Sequence, residues 1–153
     1  MNEIERLAAI EEIKQVKARY FRGVDTGDGN LVRSILAEDC VLDYRGGCTD
    51  PATGKDYVPA TNAVLRGREA WPAGTQVNTG MVSVHHGYNC EIEITSDTTA
   101  TAIWSMTDRL HFPPGGQFSV MTGYGHYHET YEKAGGAWKL KTTRLTRIRV
   151  EAA

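Results

Sequence analysis

The second half of the chain is the feature that most limits its fold. After "NCEIEI" and the turn "TSDT" come "TATAIWSMTDRLHF", "FSVMTGYGHYHETYE" and "AWKLKTTRLTRIRV", separated only by "PPGGQ" and "KAGG". Each long segment alternates apolar with polar residues, the period of a strand with one face on a core. Tight Gly, Pro and Asp turns between such segments predict an antiparallel meander. A meander needs something to cover its apolar face, and the first half of the chain supplies it.

Residues 2 to about 26 carry Ile10, Ile13, Val16, Tyr20 and Val24 at intervals of three and four, with Glu11, Lys14 and Arg19 on the other side. That spacing predicts a long amphipathic helix ended by "DTGDGN". Asn30 is suited to cap a second helix, "LVRSILAED", and "CVLDY" at 40–44 reads as a strand. A Gly-, Pro- and Thr-rich stretch from Arg45 to about Thr61 reads as loop, "GREAW" as a brief helix, and the rest up to Val84 as more loop. Helices first and a meander last predict one α+β domain over 1–153, a cone-shaped curved antiparallel sheet wrapped around the long N-terminal helix. Such a wrap leaves a concave pocket.

Bulk properties remove several functions. A net charge of -2 shows no basic footprint for nucleic acid or anionic lipid. Charges interrupt the N-terminal helix every few residues, so it reads as neither signal peptide nor membrane span. Cys40, Cys48 and Cys90 form neither a disulfide framework nor a zinc pattern, and read as reduced thiols in a cytoplasmic protein.

Strand parity sorts the polar residues. In the last strand Trp138, Leu140, Thr142, Arg144, Thr146, Ile148 and Val150 share the expected core face, while Lys139, Lys141, Arg147 and Arg149 share the other. An inward Arg144 needs a carboxylate or an anionic ligand, because an unpaired buried charge is costly. Asp108 lies on the apolar face with Ala102, Trp104, Met106 and Leu110, and is the natural partner. Such a pair is either purely structural or orients a catalytic group. Asp25 ends the helix stripe carrying Tyr20 and Val24, and either caps the helix or stands at the pocket mouth. Tyr44 follows Cys40 and Leu42 on one strand face and adds a hydroxyl.

The histidines raise a parity question. In "VHHGYN", His85 and His86 point to opposite faces, and alternation back from Ile92 through Cys90 turns His86 inward. A bulge or bend at Gly87 would turn His85 inward instead. His126-x-His128, with His111 near the preceding turn, could seed a metal site, but no third ligand stands at supporting spacing, so no metal is expected. No G-x-G-x-x-G, P-loop or H-E-x-x-H occurs, so no cofactor is signalled.

The stretches "ERLAAIEEIKQVKARYFRGVDTGD", "LVRSILAEDCVLDY", "VHHGYN" and "GYGHYHETYEKAGGAWKL" resemble the SnoaL-like branch of the nuclear transport factor 2-like superfamily. The likeness is greatest to hexachlorocyclohexane dehydrochlorinase, scytalone dehydratase and bile acid 7α-dehydratase, and leaves out the segment around 46–80. The resemblance implies that Asp25 matches the helix-end aspartate of these lyases and His85 their catalytic histidine. It implies further that Tyr20 and Tyr44 match pocket tyrosines, Asp108 a pocket acid, and Arg144 or Arg147 a pocket arginine.

The activity expected on this basis is that of a cofactor-independent lyase of dehydratase or dehydrohalogenase type. His85 would be the base, Asp25 its orienting carboxylate, and Arg144, Tyr20 and Tyr44 the stabilisers of developing negative charge. Trp104, Met106, Met121 and Val84 would wall a pocket for a hydrophobic ring compound. The alternatives are a ketone isomerase or polyketide cyclase, and a non-catalytic ligand-binding or structural subunit resembling the β subunit of ring-hydroxylating dioxygenases. A homo-oligomer is expected, a trimer before a dimer.

Overall fold

The computed structural model describes residues 1–75 and 80–153. Helix α1 spans Glu3–Thr26 and opens on a capping box in which Asn2 and Glu5 satisfy each other's backbone N–H groups. It stops at Gly27, whose φ of 67° is the left-handed conformation that glycine adopts without a Cβ penalty. Ala9, Ile13, Val16, Tyr20 and Gly23 form its buried face, and Lys17 lies among them.

Helix α2 is shorter than its sequence suggested, Gly29–Ile35, and strand β1 follows at once as Leu36–Asp43. Asp28, not Asn30, caps α2 by accepting from Leu31 N. Asn30 Oδ1 instead accepts from Gly74 N at 2.9 Å. The apolar run Ile35–Leu36–Ala37 fits either a helix face or a buried strand, and pairing with a distant strand decides the matter. Two 3₁₀ turns, Pro59–Thr61 and Arg68–Ala70, flank a short strand β2, Val64–Arg66, which the loop-like composition concealed. Of the loop expected up to Val84, residues 76–79 lie outside the described residues.

Four long strands complete the sheet: β3 Val82–Ile94, β4 Thr99–His111, β5 Val120–Ala134 and β6 Ala137–Ala152. The strand order is β2-β1-β6-β5-β4-β3. The meander β3 to β6 is antiparallel, but β1 runs parallel to β6, so the sheet is mixed rather than wholly antiparallel. Alternation reveals which face is buried and says nothing about strand direction. The sheet curves around α1, whose apolar face meets Trp104, Tyr127, Tyr131, Trp138 and Leu140 in the main core.

Irregularities in the ladder decide what faces inward. In β6, Leu140 and Thr142 pair with successive residues of β5, so Lys141 is an extra residue; Ile148 is another between Arg147 and Arg149. A one-residue bulge flips every side chain beyond it. Between the two bulges Thr143, Leu145 and Arg147 therefore turn inward and Arg144 turns outward. The inward Arg144 of strict alternation is corrected accordingly, and Arg147 takes the place.

Candidate active site

The inner concavity holds a cavity of about 680 Å³, bounded by the end of α1, the inner face of the sheet and the segments around Gly47, Thr61 and Trp71. Asp25, His85, Tyr20, Tyr44 and Asp108 all line it, together with Arg147. Arg144 is exposed on the outer face.

The four expected wall residues lie elsewhere. Trp104 and Met106 are buried in the main core, Met121 is fully buried in a second cluster with Cys48, Leu110 and Val150, and Val84 lies off the cavity on the strand face shared with His86. The apolar lining comes instead from Val24, Leu65, Trp71, Met81, Leu110 and Leu145. Trp71 and Leu65 belong to segments with no regular periodicity, where parity offers no guide.

His85 is the inward histidine, and His86 is exposed. The bulge that makes this possible lies between Tyr88 and Glu91, where Asn89 adopts φ 50°, rather than at Gly87. Gly87 serves differently. A Cβ there would come within 2.7 Å of the Phe21 ring, so the glycine lets α1 approach β3 closely. Phe21 in turn lies nearly parallel to the His85 imidazole, centroids 5.9 Å apart at 10°.

The Asp25 carboxylate receives three hydrogen bonds from β3. Ser83 Oγ donates to Oδ1 at 3.0 Å, the His85 backbone N–H donates to Oδ2 at 2.9 Å, and His85 Nδ1 lies 2.5 Å from Oδ1. A carboxylate can only accept, so the proton of this last contact belongs to Nδ1. In the neutral ring Nε2 then carries the lone pair. Nε2 makes no hydrogen bond among the described residues and lies 3.8 Å from Asp108 Oδ2.

Asp108 is held by Arg147 through two parallel bonds of 2.8 Å, Nη1 to Oδ1 and Nη2 to Oδ2. Arg147 Nε also donates to the Gly47 carbonyl at 2.6 Å. Burial alone would lower the Arg147 pKa, but the hydrogen bonds and charge of Asp108 outweigh it, so the guanidinium stays charged. The pair lies over bare backbone: a Cβ on Gly123 would come within 2.4 Å of both Arg147 and Asp108. A Cβ on Gly125 would meet the Thr146 carbonyl at 2.0 Å. In the motif "GYG", Gly123 thus leaves room for the two side chains that cross the strand and Gly125 for the neighbouring backbone, and both glycines share the inward parity of Met121 and Tyr127.

Tyr20 and Tyr44 share one hydrogen bond, with hydroxyl oxygens 2.6 Å apart. Burial pushes both phenols far above their ordinary value, so each keeps its proton at neutral pH. One proton joins the pair. The other has no acceptor among the described residues and is available to an oxygen of a bound molecule.

Sequence reasoning missed a buried ion pair behind the site. Lys17 Nζ bonds Glu129 at 2.6 Å, and both side chains are almost wholly buried. Thr143 and Tyr131 also donate to Glu129, and Nζ lies 3.5 Å from the Tyr127 ring centroid. Burial pulls the Lys17 pKa down, only partly offset by Glu129. Lysine in an apolar stripe reads as a surface residue until its partner strand is known. His126 and His128 have ring centroids 6.4 Å apart on the outer face, and His128 Nε2 contacts the Thr146 hydroxyl at 2.9 Å. Among the described residues, no helix is long and apolar enough to cross a membrane.

Solved structures share this architecture. A putative scytalone dehydratase from Novosphingobium aromaticivorans is 19% identical, with a TM-score of 0.78 and coverage of 99% of this chain and 92% of that one. A type 2 hexachlorocyclohexane dehydrochlorinase is 20% identical, with a TM-score of 0.75 and coverage of 99% and 93%. A protein from Kribbella flavida is 16% identical, with a TM-score of 0.75 and coverage of 95% of each chain. These likenesses establish the fold. The profile of the SnoaL-like domain matches residues 5–144, nearly the whole length, and so the chain belongs to the SnoaL-like family, within the nuclear transport factor 2-like superfamily.

Proposed function

We propose that the protein is a cofactor-independent lyase, removing water or hydrogen halide from a hydrophobic ring compound by general base catalysis. The observation that carries this reading is the Asp25–His85 contact, 2.5 Å at Nδ1, at the wall of a cavity beside which Nε2 has no hydrogen-bond partner among the described residues. The Nε2 lone pair takes a proton from a substrate carbon, and the electrons of the broken C–H bond go toward a new C=C bond. The leaving group on the neighbouring carbon departs with its own bonding pair. Asp25 stabilises the imidazolium as it forms. The free proton of the Tyr20–Tyr44 pair donates to an oxygen that gains negative charge, and Arg147, already committed to Asp108, sets the local field.

The names of the structural neighbours, a dehydrochlorinase and a putative scytalone dehydratase, agree with elimination. A second reading is favoured by the 3.8 Å separation of Asp108 Oδ2 from Nε2. That carboxylate could relay a proton back to substrate, as a ketone isomerase or cyclase requires. Product analysis separates the two reactions. The larger part of the cavity lining is apolar, which suits a hydrophobic ligand. We further propose a homo-oligomer, since Val82, Tyr88, Tyr124 and Ile148 are exposed on the sheet. Light scattering tests this, and a monomer at micromolar concentration would refute it.

The first experiment is an NMR titration of the His85 ring in wild type and Asp25→Asn. Loss of the carboxylate should lower the ring pKa, because the imidazolium loses its partner. An unchanged titration would sink the dyad.

A further inference from the structure

Trp71 is the one of the three tryptophans that lines the cavity; Trp104 and Trp138 are core residues. Its indole meets Tyr20 and Tyr44 edge-on, at centroid distances of 6.2 and 6.4 Å. These are the two rings whose hydroxyls carry the free proton. A ligand oxygen that accepts that proton is bound by the same two tyrosines against which the indole packs. A flat ring can lie against an aromatic face over its whole area, whereas a puckered saturated ring touches it at a few hydrogens.

The backbone that carries the indole is fastened from outside the cavity. Arg33, on α2, donates from Nε to the Trp71 carbonyl at 2.6 Å and from Nη2 to the Glu69 carbonyl at 2.9 Å. Its third contact, Nη1 to the Glu69 carboxylate at 2.7 Å, involves a well-exposed partner and adds little. The chain just beyond is fastened too: Gly29 N donates to the Gly74 carbonyl at 2.9 Å, and a Cβ on Gly29 would fall 2.0 Å from the Pro72 carbonyl. A forked guanidinium across two carbonyls fixes orientation in a way that a lysine point charge does not.

We propose that Trp71 is a specificity-determining residue, selecting a planar ring that bears its oxygen at the Tyr20–Tyr44 pair, and that Arg33 is the positioning residue that sets it. This rests on the cavity being the ligand site and is independent of the elimination chemistry. The test therefore reads binding and not turnover. Calorimetric titration with 2-naphthol, a flat bicyclic phenol, is compared with its saturated counterpart 2-decalol. Trp71→Leu keeps an apolar wall; it should weaken 2-naphthol about tenfold and 2-decalol by less than about twofold. Arg33→Met should weaken 2-naphthol about fivefold and shift indole emission to the red, and Arg33→Lys should not restore it. Trp71→Phe, the variant least able to disturb folding, should keep most of the preference. The proposal is overturned if wild type does not bind 2-naphthol, if Trp71→Leu loses both ligands equally, or if Arg33→Met binds as wild type does. A protein that eliminates no substrate but passes this test would refute the lyase reading and leave Trp71 in its role.

Discussion

Arg147 grips Asp108 through two hydrogen bonds of 2.8 Å, and Oδ2 of that carboxylate, one of the two oxygens so held, stands 3.8 Å from His85 Nε2. The imidazole thus lies between two carboxylates that are held in different ways. Asp25 is bound to Nδ1 and to β3 backbone, while Asp108 is turned toward Arg147. This division leaves Nε2 without a hydrogen-bond partner among the described residues, beside the cavity.

Removing Arg147 should be costly because it strands Asp108. Arg147→Met is expected to destabilise the fold by about 3–5 kcal/mol, the usual result of breaking one side of a buried ion pair. Urea midpoints of Arg147→Met and of Arg147→Met/Asp108→Leu check this. The double variant should recover most of the loss, and no recovery would show that the pair is not what Arg147 supports.

Asp25→Asn should keep the fold and abolish most turnover. A drop of about a thousandfold in kcat, with KM changed only a few-fold, is expected when a base loses its orienting carboxylate. Steady-state kinetics on an identified substrate provide the measurement, and a kcat within tenfold of wild type would exclude the proposed role.

Gly87→Ala should act on the same histidine from the other side. The added methyl would lie 2.7 Å from Phe21 and force that ring away from His85. The expected result is a loss of about 1–3 kcal/mol in stability, as for overpacked cores, and a changed His85 ring chemical shift. Phe21→Leu combined with Gly87→Ala should regain stability.

Lys17→Met should destabilise by about 3–5 kcal/mol, since Glu129 would remain buried without its cation. Pairing it with Glu129→Leu should restore much of that loss. Comparison of denaturation midpoints decides, and a neutral single substitution would show that Lys17 contributes no net charge pairing.

Asp50 predicts an acid-labile tether. Its carboxylate accepts from Val150 N at 3.2 Å and from the Thr53 hydroxyl at 2.9 Å, and the Val150 bond is the main reason its folded-state pKa lies below the ordinary 3.8. The unfolded chain then binds more protons than the folded one between that lowered value and 3.8, so stability falls as pH drops through this window. Asp50→Asn should be less stable at neutral pH and lose less on acidification. Urea midpoints from pH 7 to pH 3 follow the difference, and parallel curves would show that Asp50 is no such tether.

The amino-acid order by itself determined the long helix, the four late strands with their turns, and the polar residues that could not lie idle on apolar faces. Helical and two-residue periodicities are local properties, and Tyr20, Asp25, Tyr44 and Asp108 follow from them together with the family resemblance. The tertiary structure decided the rest, wherever the outcome depends on a partner distant in sequence. Bulges at Lys141 and Ile148 exist only relative to β5; the first exchanges Arg144 for Arg147, and the second returns Val150 to the inward face. The bulge beside Asn89 does the same for His86 and His85. Strand β1 runs parallel to β6, a long-range pairing that no local pattern encodes. Trp71 and Leu65, in segments whose sequence shows no periodicity, join Leu110 and Leu145 of the long strands in the cavity wall, while Trp104, Tyr131 and Trp138 pack in the main core with α1. Lys17 is buried because Glu129 reaches it across 112 positions of sequence.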